Sequence, residues 1–172
     1  MDSYLERLRQ TITSATGDMS VEELTRQPEG KWSVAQVLEH LYLTYTGTQK
    51  AFERCLKAGK PLAGIPTLKQ RVATTAVTGL GYFPKGRKSP DQVLPRGVLA
   101  EKVVAEIGPQ IVTMDKAIAD CEARYGSRVR VLDHPVLGPL TARQWRKFHL
   151  VHGRHHVKQI LERSRSAARV HN

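Results

Sequence analysis

Apolar residues recur at helical spacing in four long stretches of this sequence, and this pattern constrains the fold more than any other feature. Side chains three and four positions apart share one face of a helix, so each stretch predicts an amphipathic helix with one buried face. The four predicted helices cover residues 2–16, 33–57, 98–124 and 141–164. No strand pattern of comparable length accompanies them, which favours an all-α fold.

Capping boxes predict where several helices begin. In a Ser/Thr-x-x-Glu/Gln box, the side chain of each residue accepts the backbone N–H of the other and satisfies donors that the first helical turn leaves free. Two boxes precede the second and fourth long stretches, and a third predicts a short turn of helix before the second stretch. They are Ser33-x-x-Gln36, Thr141-x-x-Gln144 and Ser20-x-x-Glu23.

Glycine and proline interrupt the chain between the helices. Residues 79–97 contain seven of them and predict a long loop, which is typical of a lid, a binding loop or a disordered segment. Within the third stretch, Pro109 predicts a kink or a break near Gly108. In the linker over residues 125–140, residues 129–131 are compatible with extended backbone, but this short stretch has no evident partner with which to form a sheet.

Together these elements predict one four-helix bundle domain over residues 1–165, with long connecting loops and a basic tail over residues 166–172. A chain of this length buries a substantial core without disulfides. The loops are longer than an up-and-down bundle requires, so the sequence leaves the topology open.

The formal net charge is +11, and residues 57–102 contain nine basic residues against two acidic ones. Such an imbalance attracts anions, whether nucleic acid, a membrane surface or a small carboxylate substrate. The segment has two aromatic residues, Tyr82 and Phe83, and no motif that reads bases, so we expect no specific nucleic-acid partner. A solvated basic surface and an anion-attracting rim around a pocket stay as alternatives.

Other features favour a cytoplasmic protein without a membrane partner. No apolar run approaches the roughly 20 residues of a membrane helix, and the N-terminus lacks the pattern of a secretory signal. Cys55 and Cys121 stand apart without a CxxC motif, and we expect both to be buried as small hydrophobic side chains.

The most informative feature is a cluster of four histidines within eight positions of the fourth helix: His149, His152, His155 and His156. At about 100° per residue, His156 lies about 40° from His152 and one turn further along, whereas His155 lies about 60° away on the other side. The H-x-x-x-H spacing lets two imidazoles reach one metal ion. Trp145 and Ile160 lie near the same face, which predicts that this face points into the bundle.

Two imidazoles need a third ligand from another helix, and His40 is the best candidate. It lies in the middle of the second helix beside the core positions Val37 and Leu41, and a bundle brings such faces together. Three neutral nitrogens would leave a position for water or substrate, as in a catalytic zinc site. The sequence leaves His149 open as a fourth or replacement ligand, and His134 as a further candidate on a loop.

Three segments resemble sequence signatures of the DinB superfamily. Residues 32–41, WSVAQVLEHL, are similar to the pattern WS-x-x-x-(V/I)-L-x-H-L, in which a capped helix presents the first metal histidine. Residues 152–160, HGRHHVKQI, resemble the closing H-x-x-x-H-x-x-Q-(I/L) motif. Residues 134–141, HPVLGPLT, look like the loop before the last helix in a DinB-like subgroup. The likeness covers about residues 2–165 and is weakest in the basic middle loop.

The resemblance implies a DinB/YfiT-like four-helix bundle in which His40, His152 and His156 hold one divalent ion, usually zinc or nickel. It also implies a homodimer. Several members of the superfamily are transferases or isomerases that depend on a low-molecular-weight thiol such as bacillithiol, mycothiol or glutathione. Gln159 either hydrogen-bonds one of the imidazoles or faces solvent.

Three functions are compatible with such a site. The preferred one is a thiol S-transferase-like enzyme, because a divalent cation stabilises the nucleophilic thiolate. A hydrolase using metal-bound hydroxide ranks second, since it needs a general base, and Glu39 projects about 100° from His40 while Asp133 lies on a loop. The third is a non-enzymatic metal-binding stress-response protein, which the open three-ligand set disfavours.

Overall fold

The computed structural model describes residues 1–83 and 88–168, with side chains described as far as residue 164. Residues 169–172 of the predicted basic tail lie outside the described part. No helix among the described residues combines the length and the apolar composition needed to cross a membrane. The elements are α1 (Ser3–Thr16), α2 (Val21–Thr25), α3 (Val34–Ala58), α4 (Leu68–Thr74), a π-helical turn (Thr75–Gly79), a 3-10 turn (Asp91–Val93), α5 (Ala100–Tyr125), β1 (Arg130–His134), β2 (Gly138–Thr141) and α6 (Ala142–Ala168).

The four long helices α1, α3, α5 and α6 form the predicted bundle, so the all-α fold class is confirmed. Helix α3 packs chiefly against α5, and α1 packs chiefly against α6. Each helix contributes fully buried apolar side chains to one continuous core, for example Leu8, Leu38, Ile111 and Ile160. Both cysteines are free and fully buried in this core, as predicted.

The predicted capping boxes begin the helices. Ser33 Oγ accepts the backbone N–H of Gln36 at 3.2 Å, and Gln36 Oε1 accepts that of Ser33 at 2.8 Å. Thr141 and Gln144 form the same reciprocal pair at 3.3 and 2.9 Å, so α6 begins at Ala142. The third box likewise caps α2.

Helix α5 runs from Ala100 to Tyr125 through Pro109, so of the two alternatives predicted near Gly108, a kink or a break, the break does not occur. Proline removes one backbone donor and crowds the preceding turn. However, Ile107 and Ile111 on either side of it are 4% and 0% exposed. Their burial against the core stabilises the helix across the proline.

The expectation that residues 129–131 have no strand partner is wrong. Strand β1 pairs antiparallel with β2 in a two-stranded sheet. The partner strand contains Pro139, which cannot donate a ladder hydrogen bond and therefore obscures the strand pattern in the sequence. Val131 and Leu140 are fully buried, so packing on the helical core stabilises a hairpin too short to stand alone.

The segment between α3 and the glycine- and proline-rich loop contains a helix that periodicity did not predict. Helix α4 begins after Thr67, whose Oγ1 accepts the N–H of Gln70 at 3.2 Å in another capping box. This box was the available signal, because α4 exposes apolar side chains such as Leu68 to solvent and so lacks a core-facing stripe. Thr74 anchors α4 to the hairpin by donating to the carbonyl of Leu137 at 2.9 Å.

Gly153 lets α6 approach α1 closely, next to the histidines of α6. A Cβ at this position would overlap Cδ1 of Leu8 and would lie 3.2 Å from the hydroxyl oxygen of Tyr45. Both neighbours are fully buried, so neither moves without displacing other core side chains. The close approach explains a glycine at a position where alanine is the better helix former by about 1 kcal/mol.

We expect Gly153→Ala to lower the free energy of unfolding by about 1–3 kcal/mol, because the added methyl group overpacks the core. Gly47→Ala in α3 is the matched control, since a Cβ there meets nothing within 4 Å. This control should leave the free energy of unfolding unchanged or raise it by up to about 1 kcal/mol. Denaturant unfolding measures both variants, and equal effects of the two substitutions would contradict the close approach.

Candidate metal centre

Three imidazoles from two helices meet in the interior of the bundle. His40 comes from α3, and His152 and His156 come from α6. Nε2 of His152 lies 3.4 Å from Nε2 of His40 and 3.1 Å from Nε2 of His156. The candidate ligand atoms of all three lie within 4.8 Å of one another. The structure thus brings together the three histidines selected from the sequence.

Helix geometry explains why these side chains point inward. His152 and His156 lie one turn apart on one face of α6. His40 lies between Val37 and Leu41, which are both fully buried. The three histidines are 3%, 7% and 7% exposed in chain order, so their rings have almost no access to bulk water.

Hydrogen bonds on the outer ring nitrogens determine two tautomers. Nδ1 of His40 lies 2.9 Å from the carbonyl oxygen of Val93, which can only accept, so this Nδ1 carries the proton. Nδ1 of His156 donates to Oε1 of Gln159 at 2.9 Å. Both Nε2 atoms therefore present lone pairs to the centre of the cluster. Of the two alternatives for Gln159, the structure shows the hydrogen bond to an imidazole.

These inward lone pairs test whether the residues fit a metal ion. A neutral His152 carries one N–H and satisfies at most one of the two acceptors that face its Nε2. Its Nδ1 is buried and has no hydrogen-bond partner among the described residues. A cation would instead take a lone pair from each ring, and neutral imidazole is a preferred ligand of zinc and nickel. The three histidines therefore fit a divalent ion.

Burial keeps the three rings uncharged. It lowers the pKa of His156 from 6.5 to about 3. Burial also lowers the pKa of His40, although the hydrogen bond to Val93 partly opposes this shift. The pKa of His152 lies well below its usual value, first because of burial and then because of the neighbouring histidines. Since neutral imidazole is the metal-binding form, no proton has to leave these rings at neutral pH.

Aromatic side chains surround the cluster. The ring centroid of Trp32 lies 5.4 Å from that of His40, and Phe148 stacks on His152 at 5.4 Å with an interplanar angle of 10°. Phe83 lies 5.2 Å from His152. Sequence reasoning assigned no role at the site to either phenylalanine. The position of Phe148 one turn before His152 was a usable signal, whereas Phe83 follows a glycine-rich segment without periodicity.

The other candidate histidines lie outside the cluster. His149 is fully buried, Trp145 stacks on it at 5.8 Å, and neither of its ring nitrogens has a partner among the described residues. His134 uses Nδ1 to accept two backbone N–H groups of the hairpin turn, each at 3.1 Å. His155 contacts Gln159, with 3.3 Å between their Nε2 atoms. The sequence left His149 and His134 open as ligands and placed His155 away from His156, and the structure brings none of these three rings into the converging group.

The fold and the site together define the class of this protein. It is an all-α bundle with a candidate metal centre, at which histidines of the second and the last long helix converge. The family model of the DinB superfamily matches residues 4–160 of this chain, a range that includes all three histidines. The chain belongs to the DinB superfamily. Comparisons with curated proteins and with solved structures found no match.

Metal content tests the three ligands, which remain a prediction. We expect the protein to hold about one zinc or nickel ion per chain. His40→Ala and His152→Ala should fall well below this stoichiometry, because two imidazoles bind an ion more weakly than three. His134→Ala is the control, since its ring lies outside the cluster, and it should retain the metal. Elemental analysis measures the stoichiometry. Retention of the metal in both ligand variants would refute the site.

The buried ring of His149 predicts a pH dependence of stability. Burial lowers its pKa from 6.5 to about 3, so between these values the unfolded chain binds a proton that the folded chain does not. The free energy of unfolding of the metal-free protein should therefore fall as the pH decreases from about 6.5 towards 3. This residue contributes up to about 1.4 kcal/mol per pH unit. His149→Phe should flatten the dependence measured by denaturant unfolding, and an unchanged slope would contradict a buried, neutral His149.

Proposed function

We propose that this protein is a thiol S-transferase-like enzyme whose divalent ion, zinc or nickel, is held by His40, His152 and His156. The observation that carries this proposal is the convergence of three ring nitrogens, with no fourth histidine, cysteine or carboxylate in the group among the described residues. Catalytic zinc sites keep an open position beside three protein ligands, whereas structural sites are closed by four. A low-molecular-weight thiol is the group proposed to enter the open position.

When bound, the ion would supply positive charge that stabilises a thiolate over a thiol, and the thiolate is the nucleophile. The remaining tasks fall to the chain itself. The Val93 carbonyl and the Gln159 amide orient two of the imidazoles. Phe83 and Phe148 limit access of water to His152 and offer apolar surface for the carbon skeleton of an electrophile.

Basic side chains support an anionic thiol as the substrate. A cavity of about 120 Å³ at the start of α6 is lined by Arg71 and Arg130, together with neutral residues such as Thr75 and Gln144. None of the described residues that line it is acidic, so its field attracts anions. Gln144, which lines the cavity, precedes His152 by eight residues and so lies about 12 Å from it along α6.

The two alternative functions have less support. A hydrolase needs a free general base. The two carboxylates considered for that role already accept backbone hydrogen bonds. Glu39 accepts three N–H groups, and Asp133 accepts the N–H of Gly64. A structural metal site needs a fourth ligand, and His149 lies outside the converging group.

We further propose that the protein is a cytoplasmic homodimer without a specific nucleic-acid or membrane partner. Exposed apolar side chains around α4 support an interface between two copies, because large apolar patches rarely face water in a monomer. These side chains are Leu62, Ile65, Leu68, Val72, Leu80 and Tyr82.

Thiol-dependent turnover tests the proposed activity. Metal-loaded protein should convert an activated aryl halide and a thiol to a thioether, a halide ion and a proton, with glutathione, mycothiol and bacillithiol as the thiol panel. His152→Ala should lower kcat/KM by at least about 100-fold, because the ion that stabilises the thiolate is lost. Arg71→Ala should raise KM for glutathione and bacillithiol, which carry carboxylates, and not for uncharged 2-mercaptoethanol. No thiol-dependent turnover by the metal-loaded protein would overturn the proposal.

A further inference from the structure

Glu39, the residue before His40 on α3, is a buried carboxylate that holds a distant piece of backbone. The residue is 1% exposed. Oε1 accepts the N–H of Arg96 at 2.7 Å, and Oε2 accepts those of Gly97 and Val98 at 3.1 and 3.2 Å. Among the described residues, no basic side chain pairs with it. Three backbone donors therefore compensate a charge that is costly to bury.

The same piece of backbone also contacts His40, at the carbonyl of Val93. Consecutive residues point about 100° apart around a helix, so Glu39 and His40 reach this backbone at two separate places. We call residues 93–98 the strap. His40 holds the first residue of the strap and Glu39 holds its last three. The chain then enters α5 at Ala100.

The strap depends on Glu39 because it has few hydrogen bonds of its own. Leu94 closes the 3-10 turn through its N–H, and Pro95 has no N–H to donate. The next three N–H groups all donate to Glu39. Gly97 has a φ of +86°, a left-handed backbone conformation that helps successive N–H groups converge on one acceptor.

We propose that Glu39 is a positioning residue of the metal centre, which anchors the strap and thereby places the Val93 carbonyl that orients the ring of His40. A carbonyl orients a ring only if the backbone that carries it is itself held. Hydrogen bonds to the outer nitrogen of a metal-bound imidazole set its orientation and basicity, and their loss typically lowers metal affinity 10–100-fold. This inference rests on the proposed metal centre and is independent of the thiol chemistry.

Zinc affinity of Glu39→Gln is the first test, measured by competition with a chelating dye. The amide replaces one acceptor oxygen by an NH₂ group facing backbone donors, so the strap should loosen and the affinity should fall about 10–100-fold. Asp115→Asn is the matched control. Asp115 is another buried carboxylate, bonded to the N–H of Asp2 at 2.7 Å and to Nε of Arg146 at 2.9 Å, outside the histidine group. The Asp115→Asn variant should have a lower free energy of unfolding and the zinc affinity of the wild type.

A double-mutant cycle with His40→Ala separates positioning from general stability. If Glu39 acts through His40, Glu39→Gln should change the residual zinc affinity of His40→Ala by less than about 2-fold. Full additivity of the two substitutions would overturn the inference, as would wild-type zinc affinity in Glu39→Gln. If Glu39→Gln does not fold, Gly97→Ala perturbs the same strap from its other side and should lower the affinity in the same direction. Failure of the wild type to bind any zinc or nickel would instead refute the metal centre itself.

Discussion

The contact between α3 and α6 buries three imidazoles whose ring nitrogens must be satisfied away from water. Removing such polar atoms from solvent costs free energy unless each finds a partner. The Val93 carbonyl and the Gln159 amide satisfy two outer nitrogens, and the inner nitrogens face one another. The burial that lowers the pKa of these rings also keeps them in the form that binds a cation. Packing, protonation state and the proposed function are therefore consequences of one arrangement.

Much of the irregular structure lies around this arrangement. Gly153 permits the close approach of α1 and α6 beside His152, at the expense of helix propensity. Phe83, which precedes a segment rich in glycine and proline, contacts His152. The 3-10 turn and the strap contact His40 through the Val93 carbonyl, and the far end of the strap is hydrogen-bonded to Glu39. Departures from ideal bundle geometry are expected near functional sites, where local preferences yield to the geometry of the site.

Local signals in the sequence identified most of the bundle, and their failures have physical causes. The boxes at Ser33 and Thr141 located helix starts to the residue, because a cap involves side chains three positions apart. Helix α4 was missed because its apolar side chains face solvent. Strand β2 was missed because Pro139 is unusual in a strand, and because the hairpin is stabilised by packing on the helical core. Pro109 indicated a kink or a break, and burial of Ile107 and Ile111 on either side explains why the helix continues without a break.

The sequence by itself determined the long helices, the inward face of α6 and the H-x-x-x-H pair, since all of these follow from spacing within one or two turns. It also singled out His40 through its place in the core stripe and through the family pattern. Only the tertiary structure decided that His40 and His152, 112 residues apart, meet through their Nε2 atoms while His149 does not join them. The partners of His40 and Glu39 are backbone carbonyl and N–H groups, which every residue except proline carries alike. The residue types in the sequence therefore do not predict these backbone partners. The path of the folded chain alone decides which carbonyl and N–H groups lie within hydrogen-bond distance of His40 and Glu39.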